Sequence, residues 1–140
     1  MVIAACQNNP AYGGIDALKG MILVDEIRGR LAEVFSLKNH KIDHVLHGAI
    51  ASAVTYGAML GASVDEIESA VGMVVAHYTP WRAIRAGKQL SDSKGSSAAL
   101  AAEVAVMSVH RALRGFQGPK DIFRNPDSLF RQFEPTESNE

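Results

Sequence analysis

No Asp, Glu, Lys or Arg occurs between Val45 and Val64. A charge-free run of that length either crosses a bilayer as a helix or forms a helix enclosed by protein on nearly all sides. The residue types favour the second. Ala, Gly, Ser and Thr fill the run around His47 and Tyr56, with few large aliphatic side chains. Such a composition barely favours lipid, whereas small side chains let neighbouring helices approach closely. An enclosed helix in a soluble protein is expected, with no membrane partner.

The flanking sequence also repeats at helical spacing. Between residues 16 and 35 the apolar positions Leu18, Met21, Ile22, Val24, Ile27, Leu31 and Val34 recur three and four apart, as one face of an amphipathic helix requires. Glu26 and Arg30 make a favourable i,i+4 pair, and Asp16 after Gly13-Gly14 is placed to be an N-cap. The charge-free helix is expected over residues 43–60, stopped by Gly61. Ser63-Val64-Asp65-Glu66 has the capping-box pattern and opens a third helix over 63–78, which Pro80 ends by disfavouring helix at Thr79. A fourth, over 96–114, closes on His110, Arg111 and Arg114, with Gly115 as its C′ residue. Gly118-Pro119 and Asn125-Pro126-Asp127 read as two further helix starts with proline at the first position.

The pattern predicts an all-α, multi-helix bundle with no strand of five or more residues between 16 and 114. Val2 to Cys6 read as the tail of a helix. Residues 1–133 read as one helical domain and Glu134 to Glu140 as a disordered polar tail. Because the second and fourth helices carry Ala and Gly on several sides, both are expected to be surrounded by other helices or by a second copy of the chain.

Composition narrows the function. A net charge of −1, with 21% charged residues, gives none of the positive field that nucleic acid or an anionic membrane would need. Cys6 is the single cysteine, so neither an intramolecular disulfide nor a cysteine metal cluster can form. That fits a reducing, cytoplasmic location. The first ten residues have no basic segment and too short an apolar run for a signal peptide. A nucleotide-binding glycine loop, a GxSxG elbow and an HExxH helix are all absent from the sequence.

What remains is histidines and cations near helix ends. His44 and His47 are three apart and share a helix face. They are either two packing histidines, one helped by the Asp43 cap, or half of a metal site. A metal would need a third ligand, and His77 is the only histidine placed to come near; no Asp or Glu stands at a telling spacing, so no metal is expected. From Arg82 to Lys94 the chain carries Arg82, Arg85, Lys88 and Lys94 against the single acid Asp92. This is either a solvated loop or an anion site, where arginine offers a bidentate fork to carboxylates. Lys94 precedes an expected helix start at Gly95-Ser96-Ser97, whose free amides would add to the positive field.

Asp43-His44-Val45-Leu46 with the Ala/Ser-rich helix to Met59-Leu60-Gly61 resembles the MmgE/PrpD family. So do Val64-Asp65-Glu66-Ile67 with Ala70-Val71, and Arg82 with Arg85. Ser93-Lys94-Gly95 before a long Ala-rich helix, and Arg114-Gly115-Phe116-Gln117-Gly118-Pro119, continue the likeness, which runs to about Phe133. The spacings from His44 to Gly61 and from Gly61 to Lys94 look like the 2-methylcitrate dehydratase branch more than the cis-aconitate decarboxylase branch. The resemblance implies a large all-helical domain beside a smaller α/β domain, usually in a homodimer, and a lyase acting on small di- or tricarboxylates without metal or organic cofactor. It implies His44 as catalytic acid/base and Lys94 as electrostatic stabiliser or proton donor. Arg82, Arg85 and Lys88 would hold substrate carboxylates, and His77 is grouped with them.

The family's upstream acidic-and-histidine helix and its α/β domain have no counterpart in these 140 residues. The chain is therefore expected to be part of the helical domain, catalytically silent alone. The competing reading is a non-catalytic helical module that dimerises through its small-residue faces.

Overall fold

A computed structural model describes residues 1–85 and 91–133. Among these residues five α-helices follow in order: α1 (Val2–Gln7), α2 (Gly14–Val34), α3 (Val45–Met59), α4 (Val64–His77) and α5 (Asp92–Leu113). Short 3-10 turns occur at Leu37–His40, Arg82–Ile84 and Leu129–Phe133. Among the described residues the β pairing is confined to an isolated antiparallel bridge between Ile42 and Trp81. The fold is an all-α bundle. The expected Lys88 site and the tail at 134–140 lie outside the described residues.

Local chemistry sets most helix ends. α3 ends at Gly61 (φ 74°) and α5 at Gly115 (φ 89°), both in the left-handed region that glycine enters without strain. At each end two backbone bonds close a Schellman motif: Ala62 N–H to Gly57 O (2.9 Å) with Gly61 N–H to Ala58 O (3.1 Å), and Phe116 N–H to Arg111 O (3.0 Å) with Gly115 N–H to Ala112 O (2.9 Å). α4 opens on the expected capping box: Ser63 Oγ accepts from the Glu66 amide at 3.3 Å, and Glu66 Oε2 accepts from the Ser63 amide at 2.7 Å.

Four expected starts differ. Gly13, not Asp16, is the N-cap of α2; Asp16 sits three residues later, where its carboxylate accepts the Gly13 amide at 2.9 Å. α5 begins at Asp92 instead of residue 96, because Ser91 adopts the extended cap conformation (φ −96°, ψ 164°) and Asp92 suits the positive end of the helix dipole. Neither Pro119 nor Pro126 opens an α-helix. Asp121 takes φ 52°, outside the helical region, while its amide donates to Glu68 Oε1 at 2.8 Å. Between Pro126 and Phe133 only the 3-10 turn forms, because packing decides there: the Phe130 ring lies 4.6 Å from Phe35 and 4.7 Å from Phe123 between centroids.

α3 is the axis of the bundle. Leu46 and Ile50 are fully enclosed, and Val45, Ala49, Ala51, Ala53 and Tyr56 are buried around its circumference. It packs on α2, α4 and α5, which explains why the charge-free run contains no group that must reach water. Met73 and Val74 from α4 and Val109 from α5 complete the core. Among the described residues no helix is long and apolar enough to cross a membrane.

Within the single chain the fourth helix is not enclosed at its N-terminal half. α5 buries Ser97, Ala105, Ser108, Val109 and Ala112, a single stripe, and leaves Ala98, Ala99 and Leu100 exposed. α2 likewise carries apolar residues on two faces. Val24, Ile27 and Leu31 are partly buried, whereas Ile15, Leu18 and Ile22 point outward and Ile22 is 68% exposed. Its apolar positions thus form two stripes where the sequence suggested one face.

The segment after α5 crosses α4 with backbone against backbone. A Cβ on Gly72 would stand 2.0 Å from the Pro119 carbonyl oxygen, and one on Gly118 would stand 2.1 Å from the Ser69 carbonyl oxygen. Gly72→Ala should therefore destabilise the chain by about 1–3 kcal/mol in denaturant unfolding, as overpacking does. Gly29→Ala, in exposed α2 with nothing within 4 Å of the new methyl, should stabilise it by up to about 1 kcal/mol. Equal effects at the two sites would refute the close crossing.

Candidate active site

The chemistry-bearing residues converge where α3 begins. Lys41, at φ 64°, turns the chain out of the first 3-10 turn. The isolated bridge then forms: the Asp43 amide donates to Pro80 O at 2.9 Å and the Arg82 amide donates to Lys41 O at 2.7 Å. These two bonds bring the segment after α4 alongside the entry to α3, and so set Arg85 beside Asp43.

Asp43 has no exposed surface. Its Oδ1 accepts from the Val45 amide at 3.0 Å, an Asx turn that caps the helix from two residues back. Its Oδ2 accepts from Arg85 Nε at 2.5 Å, and His44 Nδ1 lies 3.5 Å from Oδ1. Burial, the largest single influence on Asp43, raises its carboxyl pKa; the Val45 amide, the Arg85 guanidinium and the field of His44 together outweigh it and hold the group below its ordinary value. Asp43 is thus a buried carboxylate that stays charged. Arg85 Nη2 donates onward to Ser97 Oγ at 2.9 Å, and the Ser97 hydroxyl donates to the Lys94 carbonyl at 3.1 Å.

His44 is the N-cap residue of α3, with its side chain 65% exposed. It opens onto a cleft of about 350 Å³ between α2, α3 and α5. Asp25 and Arg28 line it from α2, His44, Gly48 and Ser52 from α3, and Arg85 from its own loop; alanines of α5 form another wall. Arg28 Nη2 is 3.1 Å from Asp25 Oδ1, on the surface of the cleft. A second cavity of about 170 Å³ lies next to this one, sharing Val45 and Ala101, with Tyr78, Ile84 and Leu100 among its mainly apolar walls. One neighbouring cleft could therefore meet charged groups of a ligand and the other an apolar part.

His44 and Arg85 both line this cleft, whereas the expectation that His44 and Lys94 share a cleft with Arg82 or Arg85 at its rim is met only for Arg85: the described lining does not include Arg82, Lys94 or His77. Lys94 sits inside the first turn of α5, half-buried, rather than ahead of the helix. A cation in a first turn opposes the helix dipole, so the position is not explained by helix stability. Arg82 is half-buried and contributes its backbone amide to the bridge. His77 is exposed in the last turn of α4, its ring centroid 6.2 Å from that of Tyr78.

His47 shares α3 with His44 but is buried. Burial, reinforced by the field of His44, lowers its pKa, so it stays neutral in the core; its Nε2 has no protein hydrogen-bond partner. Among the described residues no three His, Cys, Asp or Glu side chains are grouped so as to hold a metal ion.

Three participants were not singled out from the sequence: Asp43 as a buried counter-ion, Ser97 and Arg28. Asp43 carried a signal, since an acid between Ile42 and the apolar start of α3 has to be buried with a partner. Ser97 and Arg28 look like ordinary polar positions on their helices.

A lowered pKa makes Asp43 a stabilising group above its ordinary value of 3.8, and that stabilisation is lost as pH falls through the lower folded-state value. Asp43→Asn should therefore destabilise the chain at pH 7 by roughly 3 kcal/mol, the low end for breaking a buried pair, because the Arg85 side chain keeps 21% of its surface in water. Unfolding curves at a series of pH values check it. The gap between the two proteins should be constant near neutrality and shrink below about pH 4, where the native carboxyl also takes up its proton.

The MmgE/PrpD N-terminal domain model matches residues 1–140, the whole chain. With an all-helical bundle and an Asp-His turn at the entry to a buried small-residue helix, this chain belongs to the MmgE/PrpD family.

Proposed function

We propose that the chain forms the helical part of a lyase that removes water from a small di- or tricarboxylate, such as 2-methylcitrate, without metal or organic cofactor. The observation that carries this reading is the juxtaposition of His44, Arg28 and Arg85 around one cleft, with ionised Asp43 behind the histidine. Dehydration of a β-hydroxy acid breaks a C–H bond beside a carboxylate and then the C–O bond two atoms from it. The proton goes to a base, and the hydroxyl leaves as water after taking a proton from an acid. Charge accumulates on the carboxylate in between, and fixed cations in a partly dry cleft stabilise it.

His44 serves as the base. An imidazole nitrogen is a common general base for a proton within hydrogen-bond reach. With Nδ1 turned toward Asp43, Nε2 is the nitrogen that would meet substrate. Arg28 and the remaining N–H groups of Arg85 hold carboxylates, Arg82 and, by its place in the sequence, Lys88 are further candidates for that role, and Lys94 supplies a proton or neutralises charge. His77, exposed in the last turn of α4 beside Tyr78, is a further candidate to meet a substrate carboxylate. The same reading takes the chain as cytoplasmic and as a homo-oligomer, in which the outward stripe Ile15, Leu18 and Ile22 of α2 would be covered.

Titrating citrate into the isotope-labelled chain at low salt should shift the NMR amide signals of His44, Gly48, Ser52 and Ala98 and leave Phe123 and Phe130 in place. No shift at any of the four would overturn the site. Turnover of 2-methylcitrate by these 140 residues alone is expected to be undetectable. In any longer form that does turn over, His44→Gln should lower kcat by about a hundred- to ten-thousand-fold, and an undiminished kcat would remove His44 from its role. Light scattering should give a multiple of the single-chain mass; a clean monomer would refute the oligomer.

A further inference from the structure

We infer that Arg85 and Ser97 are positioning residues, which with Asp43 fix the entry of α3 against the first turn of α5 and so set the spacing of His44 and Lys94. The functional meaning of that spacing rests on the proposed roles of His44 and Lys94; the relay itself does not. Its links are continuous. The Val45 amide donates to Asp43 Oδ1 (3.0 Å), Arg85 Nε and Nη2 donate to Asp43 Oδ2 (2.5 Å) and Ser97 Oγ (2.9 Å), and the Ser97 hydroxyl donates to the Lys94 carbonyl (3.1 Å).

Two observations make this more than an incidental network. First, apolar packing is thin at that end of α5. Ser97 is the one buried residue in the helix before Ala105, with Ala101 and Val104 only partly buried against the core, so the hydroxyl that Arg85 grips is the buried tie nearest the helix start. Second, the bridge needs a guanidinium. Its planar fork presents two donors to two different acceptors at a fixed angle, whereas a lysine ammonium at the same place is a single point on a flexible stem. Ser97 is matched to its place as well: one hydroxyl accepts from Arg85 and donates to Lys94 at once. Arg85 is therefore committed to holding two elements together before any ligand arrives, and what it offers a carboxylate is its remaining N–H groups.

Residue-resolved hydrogen exchange in the full 140-residue chain tests the relay. Ser97→Ala removes one hydroxyl and leaves the charge pair, and should speed exchange of the amides at residues 96–99 by about three- to tenfold. Asp43→Asn should act on the same amides in the same direction. Amides 70–75 in α4 should not respond to Ser97→Ala. In an Arg85→Met background, neither change should add further acceleration at 96–99, because the bridge is already gone. Additive effects there, or no effect of Ser97→Ala, would overturn the relay. Where Arg85→Met does not fold, the Asp43→Asn/Ser97→Ala double variant decides: exchange no faster than in the more affected single variant supports it, and multiplied effects refute it.

The positioning role has its own readout. Ser97 lines the smaller apolar cavity and not the His44 cleft, yet Ser97→Ala should weaken citrate binding by about three- to tenfold, and unchanged affinity would reduce the relay to a purely structural one. Failure of the native chain to bind citrate at all would instead count against the proposed function, with the exchange result still deciding the relay.

Discussion

A carboxylate removed from water must be matched by donors or it takes up a proton. Asp43 is matched by a backbone amide and a guanidinium, and stays charged. Each donor comes from a different part of the chain. The amide belongs to α3, and the guanidinium to the segment that the Ile42–Trp81 bridge draws in from the end of α4. Neutralising that one charge therefore requires the entry to α3, the exit from α4 and the approach to α5 to be in register together. Replacing the trio by apolar groups would be energetically tolerable, as is often so for buried ion pairs, but it would remove the arginine from the cleft and the acid from behind His44.

The sequence made the bundle legible because its signals were local. Ser63 with Glu66, Gly61 and Gly115 each determine a helix end through bonds to residues a few places away, and each does so as its pattern predicts. The charge-free run announced α3 because a helix enclosed on all sides has nowhere to put a charge. The misreadings have the opposite character. Pro119 and Pro126 satisfy the local rule for a helix start, but Phe123 and Phe130 are drawn back to Phe35 and the chain follows them. α2 has helical periodicity on two faces at once, and periodicity alone does not say which stripe faces the core.

The site was legible in its residue types and less so in its partnerships. His44, Arg85 and Lys94 were visible as chemistry near helix ends. That Arg85 is half occupied by a buried acid forty-two residues away is a long-range fact, invisible to spacing. The start of α5 matters most here. With Lys94 inside the helix, its carbonyl becomes available to Ser97 three residues on, and the relay has an end point. A helix beginning at residue 96 would have left that carbonyl in a loop.

The crossing of Gly72 and Gly118 bears on how the molecule can move. Where helices touch through side chains, a small slide is absorbed by rotamer changes. Here carbonyl groups of Pro119 and Ser69 abut bare backbone, and no side chain stands between to yield. α4 and the segment that follows α5 accordingly behave as one stiff body. None of the described lining of the His44 cleft belongs to that body, so α2 and the lightly packed first half of α5 can swing over α3 to admit a ligand while the crossing stays shut.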